Sequence, residues 1–382
     1  MPISFRRSWT DPDLDQYRDT VVRFIEEQML PGDEAARKQG HVGHALWRKA
    51  GETGLLCTDI PEAWGGGGGD FRHEAVLYEE MARRSLTGMN SSVHSIVAHY
   101  FLNHGTEEQK QRYLPRMARG EIVGAIAMTE PGTGSDLQGI RTRAVRDGDH
   151  YVINGAKTFI SNGFLAGVVL VVCKTDPNKG AAGTSILIVD TDNCPGYRVG
   201  RVLDKMGLKA QDTSELFFDE VRVPADQLLG GEEGKGFYQL MADLPYERLI
   251  IGLTALAAME GAYEATLAYV RERKAFGQAI ADFQNTRFKL AEVATEIQVG
   301  RAFIDRCVEQ LVRGELDTAT ASMAKLWGSE AQGRVIDTCL QLFGGYGYMK
   351  EYPIARLYAD ARVQRIYGGT NEIMKELASR FL

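Results

Sequence analysis

Several stretches of this chain carry residue types that can do chemistry, and each also has a plain structural reading. Glu130-Pro131-Gly132-Thr133-Gly134-Ser135-Asp136 gathers carboxylates, hydroxyls and unhindered amides. It reads equally as a polar turn after a strand or as a loop whose amides and hydroxyls approach a phosphate or a ring. Its glycines do not follow Gly-x-Gly-x-x-Gly, because Leu137 stands at the third glycine position. Arg271–Lys274 is a basic cluster, the commoner fate of which is a solvated helix face. Glu247, in Leu244-Pro245-Tyr246-Glu247-Arg248-Leu249, reads by itself as a first-turn acid complementing a helix dipole. Tyr367-Gly368-Gly369-Thr370 reads as turn chemistry. Gly65–Gly69, after Pro61-Glu62-Ala63-Trp64, is a loop that is either a flexible turn or functional.

Other chemistries are excluded. There is no Gly-x-Ser-x-Gly elbow and no His-Glu-x-x-His. Gly230–Gly236 is not a phosphate loop, since its spacing is wrong and Gly236 replaces the required Ser/Thr. His94 and His99 are five apart, an awkward spacing for two ligands on one helical face, and no metal site is expected. The five cysteines are scattered without a Cys-x-x-Cys, which points to a reducing compartment. A formal net charge of -7 argues against a nucleic-acid partner. The longest apolar runs, such as Val168–Cys173, are too short to span a bilayer, and Met1 to Thr10 has no apolar core for a signal peptide. A cytoplasmic location is the expectation.

The elements that must position these residues fall into three zones. Residues 1–120 read mainly as helices: Asp13–Met29 with Pro31-Gly32 as its stop, then Glu74–Arg84 and His94–Leu102. Residues 121–235 change period. Tyr151–Ile160, Gly167–Lys174, Ser185–Asp190 and Glu215–Val223 are short strand-like runs separated by Asp147-Gly148, Asn154-Gly155, Asn162-Gly163 and Pro195-Gly196. That spacing predicts a β-sandwich or barrel, not a parallel α/β sheet. Residues 236–382 predict a bundle of long helices over Glu247–Arg273, Asp282–Arg313, Asp317–Leu342 and Tyr352–Ile366.

Taken in order, these segments resemble the acyl-CoA dehydrogenase family, and its long-chain and isovaleryl branch in particular. Ala125-Ile126-Ala127-Met128-Thr129-Glu130 through Asp136, including Gly134 and Ser135, resembles the family's β-domain flavin segment. Phe159-Ile160-Ser161-Asn162-Gly163 resembles the strand lying against the flavin ring. Arg273-Lys274-Ala275-Phe276-Gly277 with Gln284 resembles the helix pair that reaches a flavin across a subunit boundary. Gln341-Leu342-Phe343-Gly344-Gly345 and Tyr367-Gly368-Gly369-Thr370-Asn371-Glu372 resemble the closing flavin segments. The resemblance implies a helical domain, a β domain and a four-helix bundle, with FAD between the last two. It also implies a homotetramer, an acyl-CoA substrate and an electron-transfer flavoprotein as acceptor.

It further implies desaturation of an acyl thioester, with an α-proton taken by a base and a β-hydride by the flavin. Many family members carry the base as a glutamate directly after the tyrosine of the Tyr-x-Gly-Thr segment, where this chain has Gly368. The long-chain and isovaleryl branch takes it from a Glu-Arg pair on a bundle helix, which here is Glu247-Arg248. Glu247 is therefore expected to be the base, with a pKa raised by desolvation. The Gly368 amide is expected to face the thioester oxygen, a donor of a kind that contributes about 3 kcal/mol. Arg273 suits the pyrophosphate, and Thr129 and Ser161 suit the flavin ring. Phe159 is expected to pack on the ring by resemblance alone, since a strand aromatic is more often core. Ser135, Tyr238, Arg248 and Gly369 match substrate-channel positions, and the small residues Ser91–Ser95 suit a pocket floor. Two rivals stay open: an acyl-CoA oxidase or flavin monooxygenase on the same fold, and a non-catalytic acyl-CoA-binding scaffold.

Overall fold

Asp11 starts the first helix, its carboxylate accepting from the Leu14 amide at 2.9 Å, with Pro12 at the first helical position. In the computed structural model, which describes residues 5–381, this helix, α1 (Pro12–Phe24), does not stop at Pro31-Gly32. It widens into a π turn over Ile25–Met29 and continues as α2 (Leu30–Gln39), ending at Gly40 with φ +85°. The sequence reading is corrected here. Pro31 lies in the first turn after the π turn, where a missing N–H is tolerated. The reading of Met1–Thr10 falls partly on residues 1–4, outside the described span.

Then come α3 (His44–Glu52), α4 (Phe71–Arg83), α5 (Ser91–His104) and α6 (Glu107–Ala118). The glycine run between α3 and α4 is tightly folded. The amides of Gly67, Gly68 and Gly69 return to the carbonyls of Cys57, Ile60 and Thr58. A Cβ at Gly66 would stand 2.2 Å from the Ile60 carbonyl oxygen, so the close approach demands glycine.

Seven strands follow: β1 (Val123–Ala127), β2 (Arg143–Asp147), β3 (His150–Ser161), β4 (Ala166–Lys174), β5 (Thr184–Asp190), β6 (Tyr197–Val202) and β7 (Thr213–Pro224). They form a curled sheet of order β1-β4-β2-β3-β7-β6, with β5 on β4. Most pairs are antiparallel, but β1 runs parallel to β4. β4 reads as an unbroken apolar run because both of its faces are covered. Val168, Leu170 and Val172 pack with Val97, Phe101 and Tyr113 of the helices, while Val169, Val171 and Cys173 pack with Tyr151, Ile153 and Phe218 inside the curl.

The C-terminal helices are α7 (Gly236–Glu272), α8 (Gln284–Val312), α9 (Thr318–Phe343), α10 (Pro353–Ala361) and α11 (Asn371–Ser379). A hairpin of β8 (Lys274–Ala275) and β9 (Gln278–Ala279) joins α7 to α8. α7 begins at Gly236, not near Glu247 as the sequence suggested, and carries Pro245 inside it. Packing on α4, α5, α8, α9 and α10 buries it on most faces and outweighs the proline's local penalty. Glu247 is therefore an interior helix residue, and the first-turn reading is withdrawn.

Candidate active site

Glu247, Ile250, Ile251, Thr254 and Ala258 recur at helical spacing and line one side of a cavity of about 240 Å³. Tyr78 and Met81 of α4 and Ser85 just beyond it line it, as do Ser91 and Ser92 of α5. Of the expected floor residues, His94 and Ser95 turn away: His94 meets the Gly124 amide and Ser95 the Tyr246 hydroxyl. Ile126, Ser161, Tyr367 and Gly368 lie where this cavity meets the β strands and the C-terminal loop.

An outer cleft of about 620 Å³ shares Ser161, Tyr367 and Gly368 with the cavity, so the two spaces meet there. Thr129, Gly134, Ser135, Phe159 and Thr370 line it. Phe159 is 67% exposed and has φ +60°. It sits where the β3–β7 register shifts between Lys157 and Ile160, and the bulge turns the ring out of the core. A strand aromatic is more often core, and the bulge is why this one is exposed. Ile160, its neighbour, is buried inside the sheet. The loop carrying Gly134 and Ser135 is anchored at Glu130, which accepts from the Arg141 and Thr142 amides at 2.7 and 2.9 Å and from Lys157 Nζ at 2.9 Å. Beside Gly132 and Gly134 the space is open. Ser161 Oγ accepts from Gln211 Nε2 at 3.0 Å.

Other expected site residues gather elsewhere. Arg273, Gln341, Leu342, Gly344 and Gly345 line a second surface cleft, which shares no residue with the first. Arg273 lies over the Tyr346 ring at 5.6 Å. Phe276, on the β8–β9 turn, is 97% exposed. Gln284, Tyr238 and Glu372 are exposed, and Met128 is half-buried against the helix–sheet core. Two side chains turn inward. Arg248 is buried and donates to Ser322 Oγ at 3.1 Å, so it lines neither space. Asn371 is buried against Lys325, Ser329 and Glu330. Neither residue lines the cavity or the outer cleft.

The electrostatics centre on Glu247. Burial, reinforced by Asp243 one turn earlier, pushes its carboxyl up to about 7, opposed by Tyr100 and Arg248. Tyr100 donates to Glu247 Oε1 at 3.1 Å. Asp243 is itself held by Asn103 Nδ2 at 2.7 Å and His104 Nε2 at 2.8 Å. The sequence named Glu247 but not Tyr100, Asn103 or His104, which come from a different helix. Asp243→Asn removes the neighbouring negative charge. The acid limb of kcat/KM should then move to lower pH by up to about one unit. A pH profile identical to wild type would show that Asp243 does not act on Glu247.

At the loop, Gly368 and Gly369 have φ +62° and +87°. Among the described residues, no protein acceptor takes the Gly368 amide.

Family models for the N-terminal, middle and C-terminal domains of acyl-CoA dehydrogenases match residues 11–121, 125–221 and 234–382. The mitochondrial long-chain specific acyl-CoA dehydrogenase of Rattus norvegicus is 51% identical over 99% of this chain and 88% of its own length. The crystal structure of an acyl-CoA dehydrogenase from Geobacillus kaustophilus is 44% identical, with a TM-score of 0.93 over 98% of this chain and 99% of its own. A chain from a structure described as the electron transferring flavoprotein of Acidaminococcus fermentans is 35% identical, with a TM-score of 0.93 over 99% of both chains. The chain belongs to the acyl-CoA dehydrogenases, a family of FAD-dependent oxidoreductases.

Proposed function

We propose that this chain desaturates a medium- to long-chain acyl-CoA between its α and β carbons, with Glu247 as the base. The observation that carries this reading is the placement of Glu247 and Gly368. A carboxylate pushed up to about 7 and a glycine whose amide has no acceptor among the described residues line the same, mostly apolar cavity. Glu247 takes the α-proton onto its carboxylate, and the Gly368 N–H donates to the thioester oxygen as charge gathers there. A base near neutrality takes a proton from a weak carbon acid and still releases it to solvent. The apolar walls exclude water from the developing enolate.

The outer cleft fits a flavin: an exposed ring at Phe159, the hydroxyls of Thr129, Ser161 and Thr370, and open space beside Gly134. When bound, FAD supplies the acceptor for the β-hydride. Arg273, Phe276, Gln284, Gln341, Leu342, Gly344 and Gly345 stand apart from that cleft, which supports a site completed by a second copy in a homotetramer. We assign three domains, 1–120, 121–235 and 236–382. Ser135 and Gly369, at the outer cleft, and Tyr238 serve the CoA thioester. An electron-transfer flavoprotein is the electron acceptor, a reading supported by the Acidaminococcus likeness. No helix among the described residues is long and apolar enough to cross a membrane.

Chain length is read from α7. The lining face from Glu247 to Ala258 covers twelve residues, or roughly 16 Å of helix from the first Cα to the last. Anaerobic addition of palmitoyl-CoA, octanoyl-CoA and isovaleryl-CoA to the flavin-loaded protein tests the proposal. Palmitoyl-CoA or octanoyl-CoA should bleach the flavin fastest. Bleaching by isovaleryl-CoA alone would move the substrate to short branched chains, and no bleaching by any of them would overturn the function.

A further inference from the structure

α9 carries an inward polar stripe at helical spacing, Ser322, Lys325 and Ser329. Ser322 accepts from Arg248, the residue after the proposed base. Ser329 meets Asn371. Lys325 lies between them, fully buried, and its Nζ donates to the Gly369 carbonyl and to Asn371 Oδ1, each at 2.7 Å.

Packing alone gives no reason for an ammonium there. Burying one is costly, and an apolar residue of similar volume serves stability as well or better. What the ammonium supplies is direction. It fixes the carbonyl at one end of the Gly368–Gly369 segment and the side chain of Asn371, the first residue of α11. Two consecutive glycines with positive φ have little intrinsic preference to hold a single orientation. Without an anchor the segment has other arrangements available. With it, Gly368 stays at the cavity wall, where a Cβ would already meet Ile251 Cδ1 at 2.4 Å.

We propose that Lys325 is a positioning residue for the reaction: through the Gly369 carbonyl and Asn371 it aims the Gly368 amide at the thioester oxygen. This rests on the reading that Gly368 receives that oxygen. α9 is then a common mount, holding the base-bearing helix through Arg248 and the oxyanion donor through Lys325.

The test uses the flavin-loaded full-length protein. Lys325→Met should lower kcat by about 100-fold, the scale of a misplacement of about 1 Å at a reacting centre. KM for the acyl-CoA should stay within about threefold, since the lost interaction acts mainly in the transition state. Exchange of the α-hydrogen with solvent deuterium, measured by mass spectrometry on an acyl-CoA with sulfur at the β position so that no hydride can leave, should fall in parallel. Lys325→Arg, which keeps a charged donor, should recover part of both rates. A kcat close to wild type in Lys325→Met, or a loss of kcat with exchange untouched, overturns the proposal. If Lys325→Met does not load flavin, Lys325→Gln decides by the same two readouts. Failure of the wild-type protein to exchange the α-hydrogen at all would instead count against the underlying reading of Glu247 and Gly368.

Discussion

Glu247→Gln is expected to slow flavin reduction by an acyl-CoA by about 10³-fold, within the range general-base catalysis contributes. Glutamine keeps the shape of the side chain and can still accept from Tyr100, so acyl-CoA binding should change little. The pH dependence has a definite sign. In its proposed role Glu247 works as a carboxylate, and its pKa is pushed up to about 7 first by burial and then by Asp243. Wild-type kcat/KM should therefore be flat above about 7 and fall as pH drops through it. The glutamine variant should lose that limb along with the rate. Glu74 is also raised to about 7 by burial and by Asp59, but it is bonded to the amide and hydroxyl of Thr58. A limb that survives in Glu247→Gln belongs to such a group. Rapid-mixing measurements of flavin absorbance across pH check both points. A variant rate within tenfold of wild type would place the base elsewhere.

The largest stability effect is expected at Arg301. This buried guanidinium donates to Glu79 at 2.6 Å, to Asp305 at 3.1 Å and to Glu260 at 3.1 Å through Nε. Arg7 pairs with Glu79 and Arg83 with Glu260. Asp305 also accepts from the Trp9 indole at 3.0 Å and the Ser8 amide at 2.9 Å. The cluster ties the N-terminal segment, α4, α7 and α8 together at one point. Its net contribution to stability relative to an apolar core is not the issue. Removing its centre leaves three carboxylates in the interior with too few cations, which costs about 3–5 kcal/mol. Arg301→Met should lower the apparent Tm by on the order of 10 °C. Arg301→Lys should recover only part of it, because a point charge cannot bond three carboxylates as a planar fork does. Thermal unfolding followed by circular dichroism checks this, and a Tm within about 2 °C of wild type would show that the cluster tolerates the loss.

Much of the architecture was legible in the chain. The change of period near residues 121 and 236 separates helix, strand and helix because side-chain periodicity is a local property. Glu247 was legible through resemblance, once Gly368 left the alternative base position empty. Other features were not. Pro31 and Pro245 look like helix breakers, but one follows a π turn and the other lies in a helix buried by five neighbouring helices. The parallel pairing of β1 with β4 leaves no local mark, since strand order depends on contacts far apart in sequence. Phe159 is placed toward the ring by resemblance alone, because the bulge that turns it outward is set by pairing with β7 and leaves no local mark.

The sequence by itself therefore determined the three zones and the family, and it singled out Glu247 as the proposed base. Chemical type and local spacing are properties of short segments, and ordered segments are specific together. Only the tertiary structure decided what surrounds those residues. Tyr100 and Asp243 beside Glu247, Arg248 and Asn371 turned inward, and Lys325 beneath the glycine loop all follow from helices packing across long sequence distances. Burial and orientation, which set pKa and the aim of a donor, are products of that packing and have no local signature.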